Sequence, residues 1–335
     1  MKLWPSVRYG LYNSSGRVGY DERVPTKTSI QSAPKKSPRK AATVPRFEVL
    51  VPENLKCPWL IAAFSTRTGG FSKVYGKNQL NLGFTQHDSR AAVERNRALF
   101  LQKLGASSRG QQWPVVTLRQ IHSDLIHRVD RVPQHPLAGD GLITRTPGLL
   151  LAIQTADCIP VILVDKKAHA VGVFHAGWRG TVKRIVEKGV GEMRRHFGTV
   201  ARDILAAIGP GVHSCCYNVG EEVRTKFESQ FAYARELFHE TKERNEIHEK
   251  YPLLFLTARA PGHSELPFKI WLNLVEANRR QLLDAGVSDR NINASPLCTA
   301  CRTDLLFSYR KEGAQSGRMM AVIGIRTKDK RSAGR

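Results

Sequence analysis

The feature that most constrains the fold is a set of three short apolar runs that lie close together in the chain. They cover residues 149–153, 161–164 and 170–174, with a polar break after the first and a turn at 165–167 after the second. Uninterrupted apolar runs of this length, bounded by turn signals, are typical of strands buried inside a sheet. The sequence therefore predicts a sheet with at least three buried strands here.

Helical patterns occur elsewhere in the chain. Four segments predict helices, at 90–104, 180–196, 221–232 and 274–285. Asp88 or Ser89 would cap the first of them, ahead of a face rich in Ala, Val and Leu. Together the patterns predict an α/β (α+β) protein, a single large body of mixed β-sheets flanked by helices.

Reactive side chains stand where the predicted strands end. Cys158 lies in the break between the first two strands, and His175 ends the third, just before Gly177. His122 ends an alternating strand pattern at 118–123. Strand ends are where rigid scaffolds present chemistry. Three N/S ligands from separate segments, with a fourth position open, are typical of a catalytic zinc site. Because the chain has 11 histidines, a histidine satisfied in the core is the alternative for each.

Two further motifs have less definite meanings. Cys298 and Cys301 form a C-x-x-C motif, but a zinc ribbon would need a second one, and the adjacent pair Cys215–Cys216 lacks that spacing. We therefore expect structural thiols, or a thiol that lines a pocket. The Gly-Pro turn at Gly209 would present backbone N–H groups to an anion, or it is an ordinary turn.

Composition and charge limit the class of protein. The 335 residues carry a net charge of +23, much of it in the two ends, and only six cysteines. We expect a basic, disordered arm at 1–46, a catalytic body at 47–326 with a surface insertion at 235–263, and a basic tail at 327–335. Apolar stretches are too short to cross a bilayer and no signal peptide is evident, so we expect a cytoplasmic protein with reduced thiols and no membrane partner. No basic stripe with interleaved aromatics occurs, so a specific nucleic-acid partner is not expected.

The motifs, taken in order, resemble the YfiH-like family, also called the laccase-domain or polyphenol oxidase family and now regarded as purine nucleoside phosphorylases. The resemblance extends from about residue 48 to about residue 325. The matching segments are F-S-T-R-T-G-G-F-S at 64–72, N-L-G at 81–83, V-E-R-N-R at 93–97, R-Q-I-H-S at 119–123, A-G-D-G-L-I-T at 138–144, T-A-D-C-I-P at 155–160, F-H-A-G-W-R-G at 174–180, I-G-P-G-V at 208–212, C-C-Y-N-V-G-E-E at 215–222, C-T-A-C at 298–301, F-S-Y-R-K-E-G at 307–313 and G-R-M at 317–319.

The resemblance implies a YfiH-like sandwich with a metal site formed by His122, Cys158 and His175, the triple that the strand ends also indicate. Zn²⁺ is the expected metal, with Cu²⁺ as the alternative. The implied activity is phosphorolysis of adenosine, inosine, guanosine and S-methyl-5'-thioadenosine, with adenosine deamination as a companion reaction. The partners would be purine nucleosides and phosphate, and the protein a monomer or homodimer.

The resemblance also suggests roles for further residues. Arg67 is expected to meet phosphate, because a planar guanidinium suits a pair of phosphate oxygens, and Arg179 and Gly209 are further candidates for substrate or phosphate. Asp140 or Asp157 would move protons, although Asp157 is equally suited to turning the chain before Cys158. One departure is Asn273, which replaces the family's usual Asp and weakens any role for a carboxylate there.

Three rival functions remain open. A copper-dependent polyphenol oxidase would need many histidines in H-x-H pairs, and the sequence has none. A metal-free hydrolase would use Cys158 as the nucleophile and His175 as the base. A nucleic-acid-binding protein would need salt-sensitive affinity that survives deletion of residues 1–46.

Overall fold

The computed structural model describes residues 47–108, 110–242 and 268–327. The predicted arm at 1–46, the part of the predicted insertion from 243 to 263 and the tail beyond 327 lie outside these residues. The α-helices of the described residues are Arg90–Lys103 (α1), Trp178–Val182 (α2), Ile185–Phe197 (α3), Glu221–Glu228 (α4), Leu274–Asp284 (α5) and Tyr309–Glu312 (α6).

The strands begin and end as follows: Val49–Leu50 (β1), Leu60–Ser65 (β2), Thr68–Ser72 (β3), Ser107–Ser108 (β4), Gln111–Gln112 (β5), Val115–Val116 (β6), Ile126–Arg128 (β7), Gly141–Thr144 (β8), Leu150–Thr155 (β9), Ile159–Asp165 (β10), Ala170–Ala176 (β11), Ile204–Ile208 (β12), Asn218–Val219 (β13), Phe238–Lys242 (β14), Phe268–Leu272 (β15), Ile292–Ala294 (β16) and Met319–Ile325 (β17). The three predicted apolar strands are thus β9, β10 and β11, each slightly longer than the apolar run.

Two mixed sheets form the body. One has five strands in the order β1-β2-β17-β9-β6, and the other has six in the order β16-β12-β10-β11-β8-β7. Most neighbours are antiparallel, whereas β6 with β9, β7 with β8 and β12 with β16 are parallel. The chain leaves the five-stranded sheet at the end of β9 and enters the six-stranded sheet at β10, so the break predicted around Cys158 is a crossing between sheets.

The two sheets pack face to face, and helices cover the outer side of each. Ile162 and Val164 of β10 pack towards the five-stranded sheet, against residues such as Phe64 and Ile323. Val161 and Leu163, on the other face of the same strand, pack against residues of α3 and α5. A strand buried on both faces needs apolar residues at every position. This explains the continuous apolar runs and confirms the predicted fold class.

The helices depart from their predicted bounds in two places. The single helix expected at 180–196 is two helices, because Arg184 takes a left-handed conformation with φ 63° that ends one helical segment and redirects the chain into the next. The helix expected at 221–232 ends at Glu228. The first helix begins as predicted, with the Ser89 side chain accepting a hydrogen bond from the N–H of Ala92. None of the described helices is long and apolar enough to cross a membrane.

The predicted surface insertion at 235–263 begins too early. Residues up to 242 belong to the body, because Leu237 is buried and β14 pairs with β15 along its whole length. The charged residues of this segment had hidden a strand in the sequence, and Glu240 of this strand is exposed. Asn273, which replaces the Asp usual in the family, caps α5. Its amide oxygen accepts a hydrogen bond from the N–H of Glu276, as a carboxylate oxygen would.

Candidate metal centre and active site

The fold brings His122, Cys158 and His175 together. One ligand atom from each lies within 4.8 Å of the others, and the two imidazole rings have centroids 4.9 Å apart. The register of the hairpin explains two of the three positions, because His175 on β11 pairs with Pro160 on β10, two residues after Cys158. His175 is buried, Cys158 is half-buried and His122 is exposed, so the group opens to solvent on the side of His122.

The loop that carries His122 is held in an unusual conformation. His122 has φ 56°, a left-handed conformation that non-glycine residues rarely adopt. Gln120, two residues earlier, exchanges two hydrogen bonds with the backbone of Gln154 on β9, at 2.8 and 2.7 Å. Strained residues of this kind cluster at functional sites, where the surroundings hold them in place. The surroundings here are β9 and a buried carboxylate.

That carboxylate is Asp140, which is fully buried and accepts five hydrogen bonds. The donors are the backbone N–H groups of Ile121 at 3.2 Å, His122 at 3.1 Å and Ser123 at 2.6 Å, the hydroxyl of Ser123 at 2.7 Å and Nδ1 of His175 at 2.8 Å. Burial alone would raise the pKa of Asp140, but the hydrogen bonds from His175 and Ser123 outweigh it and lower the pKa to about 2. Asp140 therefore joins the His122 loop to His175.

The ionised carboxylate also determines which nitrogen of His175 is available. A carboxylate without a proton only accepts hydrogen bonds, so Nδ1 of His175 must carry the proton that it shares with Asp140. Nε2 is left for a ligand. This is the arrangement that orients most metal-binding histidines. Asp140 acts here by positioning; with a pKa of about 2 it holds no proton at neutral pH.

Cys158 and His175 form an ion pair when no metal is bound. Burial opposes the thiolate, but the charge of His175 and hydrogen bonds from both histidines lower the pKa of Cys158 to about 6. Burial likewise opposes the imidazolium, yet the Cys158 thiolate and Asp140 raise the pKa of His175 to about 9. Thiolate is the form of cysteine that binds metals and acts as a nucleophile. The site thus presents its sulfur ligand already deprotonated at neutral pH.

The three side chains fit a zinc ion. Zinc takes thiolate sulfur at about 2.3 Å and imidazole nitrogen at about 2.0–2.1 Å in tetrahedral geometry, which agrees with three donors this close together. Gly177 keeps the space beside them clear, because a Cβ there would lie 2.9 Å from Sγ of Cys158 and 3.1 Å from Cδ2 of His122. Three protein ligands leave one coordination position open, as catalytic zinc sites do.

Asp157 connects this turn to two later loops. Its carboxylate accepts hydrogen bonds from the hydroxyls of Thr299 at 2.6 Å and Ser308 at 2.7 Å and from the backbone N–H of Arg310 at 2.5 Å. Its φ of 93° lies in the left-handed region. Asp157 was predicted either to move protons or to turn the chain before Cys158, and these contacts favour the second role.

Arg67 does not match its predicted role in phosphate binding. Its side chain is buried beneath the ring of Phe307, with the guanidinium carbon 4.5 Å from the ring centroid. A guanidinium has five N–H donors. Five oxygens of the chain accept from it, those of Gln79 at 2.6 Å, Thr303 at 2.7 Å, Glu312 at 2.8 Å, Tyr75 at 3.2 Å and Leu306 at 3.4 Å. Nη1 donates to Thr303, Glu312 and Leu306, whereas Nε and Nη2 have one acceptor each, so four of the five N–H groups are directed at oxygens of the chain. The structure therefore favours a structural role for Arg67 over the predicted phosphate contact.

Gly209 is also corrected. Its N–H donates to the carbonyl of Pro160 at 2.8 Å and is not available to an anion. Its lack of a side chain serves packing, since a Cβ there would lie 2.4 Å from the ring of Phe64.

Arg179 and two residues that the sequence analysis missed lie around the site. Arg179 is exposed and stacks on Trp178, with its guanidinium carbon 4.4 Å from the ring centroid. Tyr217 is close enough to interact electrostatically with Cys158, Arg179 and Arg310; burial raises the pKa of its hydroxyl and the Cys158 thiolate adds to this. Arg310 donates to the carbonyl of Asn218 at 2.8 Å. Tyr217 and Arg310 belong to the family-like segments C-C-Y and S-Y-R, and this membership was the feature of the sequence that could have pointed to them.

Comparison with known proteins identifies the family. The family described as multi-copper polyphenol oxidoreductase laccase matches residues 61–326. The chain belongs to this YfiH-like family. A purine nucleoside phosphorylase of Deinococcus radiodurans is 35% identical over 291 residues, covering 84% of this chain and 95% of that protein. Adenosine deaminase RL5, from an unknown prokaryotic organism, is 34% identical over 275 residues, covering 78% and 93%.

A solved structure agrees with the fold. The crystal structure of the hypothetical protein YfiH of Bacillus licheniformis is 31% identical, with a TM-score of 0.68 over 83% of this chain and 96% of that one. The predicted family and the YfiH-like fold are therefore confirmed, and the chain is an enzyme. The family description names copper, whereas the described residues hold two groups suited to a metal, one of two histidines and a cysteine and one of four cysteines.

Proposed function

We propose that this member of the YfiH-like family is a zinc-dependent purine nucleoside phosphorylase with adenosine deaminase activity. The observation that carries the proposal is the open group of His122, Cys158 and His175, oriented by Asp140, in a chain 35% identical to a phosphorylase. Its substrates would be adenosine, inosine, guanosine and S-methyl-5'-thioadenosine. With phosphate each gives the free base and the 1-phosphate of its sugar, and with water adenosine gives inosine and ammonia.

The two reactions make different demands on the site. Cleavage of the N-glycosidic bond develops positive charge on the ribose, so the phosphate must be held close to the anomeric carbon. Arg179 and Arg310 are the residues that we assign to this task, because both are exposed on the side of Tyr217 and a planar guanidinium suits a pair of phosphate oxygens. A zinc ion with an open position would supply Lewis acidity for deamination.

The remaining residues hold the site together. Asp140 keeps Nε2 of His175 directed at the metal and fixes the His122 loop, while Asp157 holds the turn that carries Cys158 against the loops of Thr299 and Ser308. Arg67 holds the loop of Ser308 from its other end, through the ion pair with Glu312.

The test is an assay of purified full-length protein with adenosine, with and without phosphate, followed by chromatography. We expect adenine only when phosphate is present and inosine in both cases. The variant Cys158→Ser should lose both products and the zinc ion of this site, whereas Cys57→Ser, which changes a half-buried cysteine outside both metal groups, should keep them.

The rival functions give different results in the same experiment. A metal-free cysteine hydrolase would keep its activity after removal of zinc and would lose it in Cys158→Ser. A polyphenol oxidase would consume oxygen with a catechol substrate and would need copper. Absence of both adenine and inosine in the zinc-loaded protein would refute the proposal.

A further inference from the structure

A second group of sulfur ligands lies beside the first site. Cys215 and Cys216 lie between β12 and β13, and Cys298 and Cys301 follow β16, yet the four Sγ atoms all lie within 4.8 Å of one another. Sγ of Cys301 is 3.5 Å from that of Cys215 and 3.4 Å from that of Cys216. All four are free thiols. Their spacing in the sequence does not relate the two pairs to each other, but the fold brings them together.

The separations match a tetrahedral metal site. Zinc–thiolate bonds of about 2.3 Å in a tetrahedron place the sulfurs about 3.8 Å apart, which is close to the separations found here. Four thiols without a metal gain little from such proximity, because an S–H group is a weak donor and a weak acceptor. Disulfides would need sulfurs at about 2.05 Å, much closer than they are. The cluster therefore has the dimensions of a metal site.

A backbone donor faces the sulfur of Cys298. The N–H of His213 points at Sγ of Cys298 at 3.4 Å. Cys298 itself is buried, whereas Cys215 and Cys301 are exposed. A hydrogen bond from the backbone holds a sulfur in a fixed orientation, as the partners of metal ligands do. The C-x-x-C spacing of Cys298 and Cys301 is also the commonest spacing of zinc ligands.

The two loops are already joined by backbone contacts. Gly211 pairs with Cys298 as neighbouring parallel strands do, and the N–H of Thr299 donates to the carbonyl of Gly211 at 3.0 Å. Both loops also reach Asp157, through the hydroxyl of Thr299 and the N–H of Val212. A metal ion at the cysteines would thus fasten the loops that hold the turn before Cys158.

We propose that Cys215, Cys216, Cys298 and Cys301 bind a structural zinc ion, distinct from the one at His122, Cys158 and His175. Zinc is the choice among thiophilic ions because closed four-thiolate tetrahedral sites are typical of it, whereas the first site keeps an open position. The inference does not depend on the proposed reaction.

The first test is the metal content of the full-length protein, measured by elemental mass spectrometry. We expect about two zinc ions per chain in the wild type and about one in either Cys158→Ser or Cys301→Ser, since each variant removes a ligand of one site. Cys57→Ser is the matched control and should keep both. A wild type with one zinc that Cys158→Ser abolishes, or copper in place of zinc, would overturn the proposal.

The second test leaves all four cysteines intact and is independent of how their variants fold. Cys158→Ser protein, stripped of zinc and reloaded with Co²⁺, should show a sulfur-to-metal charge-transfer band with the intensity of four thiolates. Any band from the first site is absent, because its single sulfur has been removed. A spectrum without this band would refute the four-cysteine site.

A third measurement separates metal binding from oxidation. Cys215 and Cys301 are exposed, so iodoacetamide should label them slowly in the purified protein and quickly after a zinc chelator is added. Rapid labelling before the chelator would count against a bound metal. An intact mass lower by two hydrogens per disulfide would show that the cysteines pair with one another instead.

Discussion

Asp140→Asn tests how much of the site depends on one buried charge. The substitution keeps the size of the side chain but replaces an acceptor-only carboxylate by an amide with one oxygen and an NH₂ group. Of the five donors around Asp140, two point at Oδ1 and three at Oδ2. Whichever way the amide turns, its NH₂ group faces at least two donors and leaves them without an acceptor.

Two independent estimates give the size of the effect. Each buried donor without a partner costs about 1–3 kcal/mol. The lowered pKa gives a second value, because a fall from 3.8 to about 2 corresponds to about 2 kcal/mol of stability at neutral pH. We therefore expect the metal-free Asp140→Asn protein to lose about 2–4 kcal/mol of its free energy of unfolding at pH 7.

The pH dependence has a definite sign. A carboxyl whose pKa is lower in the folded protein stabilises it fully above the unfolded pKa of 3.8, and this contribution is lost as the pH falls towards about 2. The difference in stability between wild type and Asp140→Asn should therefore narrow across that window. Urea denaturation of both metal-free proteins over this pH range measures it.

Zinc affinity tests the role of Asp140 more directly than stability does. Loss of the partner that orients a metal-binding histidine typically weakens metal binding by about 10–100-fold, which a competition titration with a zinc chelator would detect. Asp165→Asn is the matched control: Asp165 is buried at the far end of β10 and its carboxylate accepts only from the N–H groups of Lys167 and Ala168 among the described residues. It should lose stability and keep its zinc affinity. An Asp140→Asn protein with wild-type zinc affinity would refute the role of Asp140.

Three further predictions follow from the same contacts. Arg67→Ala should lower stability by about 3 kcal/mol or more, because it removes a buried charge and leaves acceptors unpaired, whereas Arg179→Ala should keep its melting temperature and raise the phosphate KM by about tenfold. Thermal melts and initial rates at varied phosphate concentration measure the two effects, and a stable Arg67→Ala protein would contradict the prediction. Gly177→Ala should weaken zinc binding, because its Cβ would lie 2.9 Å from Sγ of Cys158. Gly191→Ala, with open space around its Cβ, should bind zinc normally. The alkylation rate of Cys158 in the metal-free protein should rise with pH with a midpoint at about pH 6, and zinc should block the reaction. A midpoint near the usual thiol pKa of 9 would show that His175 does not stabilise the thiolate.

Local patterns in the sequence carried much of the information on the fold and on the candidate metal ligands. The apolar runs of β9, β10 and β11 are continuous because these strands are buried on both faces, so their positions could be predicted. Cys158 and His175 could be identified because a thiol and an imidazole beside buried strands are conspicuous there. The adjacent hairpin of β10 and β11 then makes their meeting almost a local event.

Only the tertiary structure decided the roles of residues whose partners are far away in the sequence. Arg67 was expected to be free for phosphate, but Glu312, 245 residues later, and the carbonyl of Thr303 accept hydrogen bonds from its Nη1. Cys215 and Cys216 acquire meaning only beside Cys298 and Cys301, because the pairing of β12 with β16 sets the separation of their loops and nothing in the local spacing records it. Composition and periodicity report which residues are buried, whereas which donor meets which acceptor depends on how the two sheets and their loops pack.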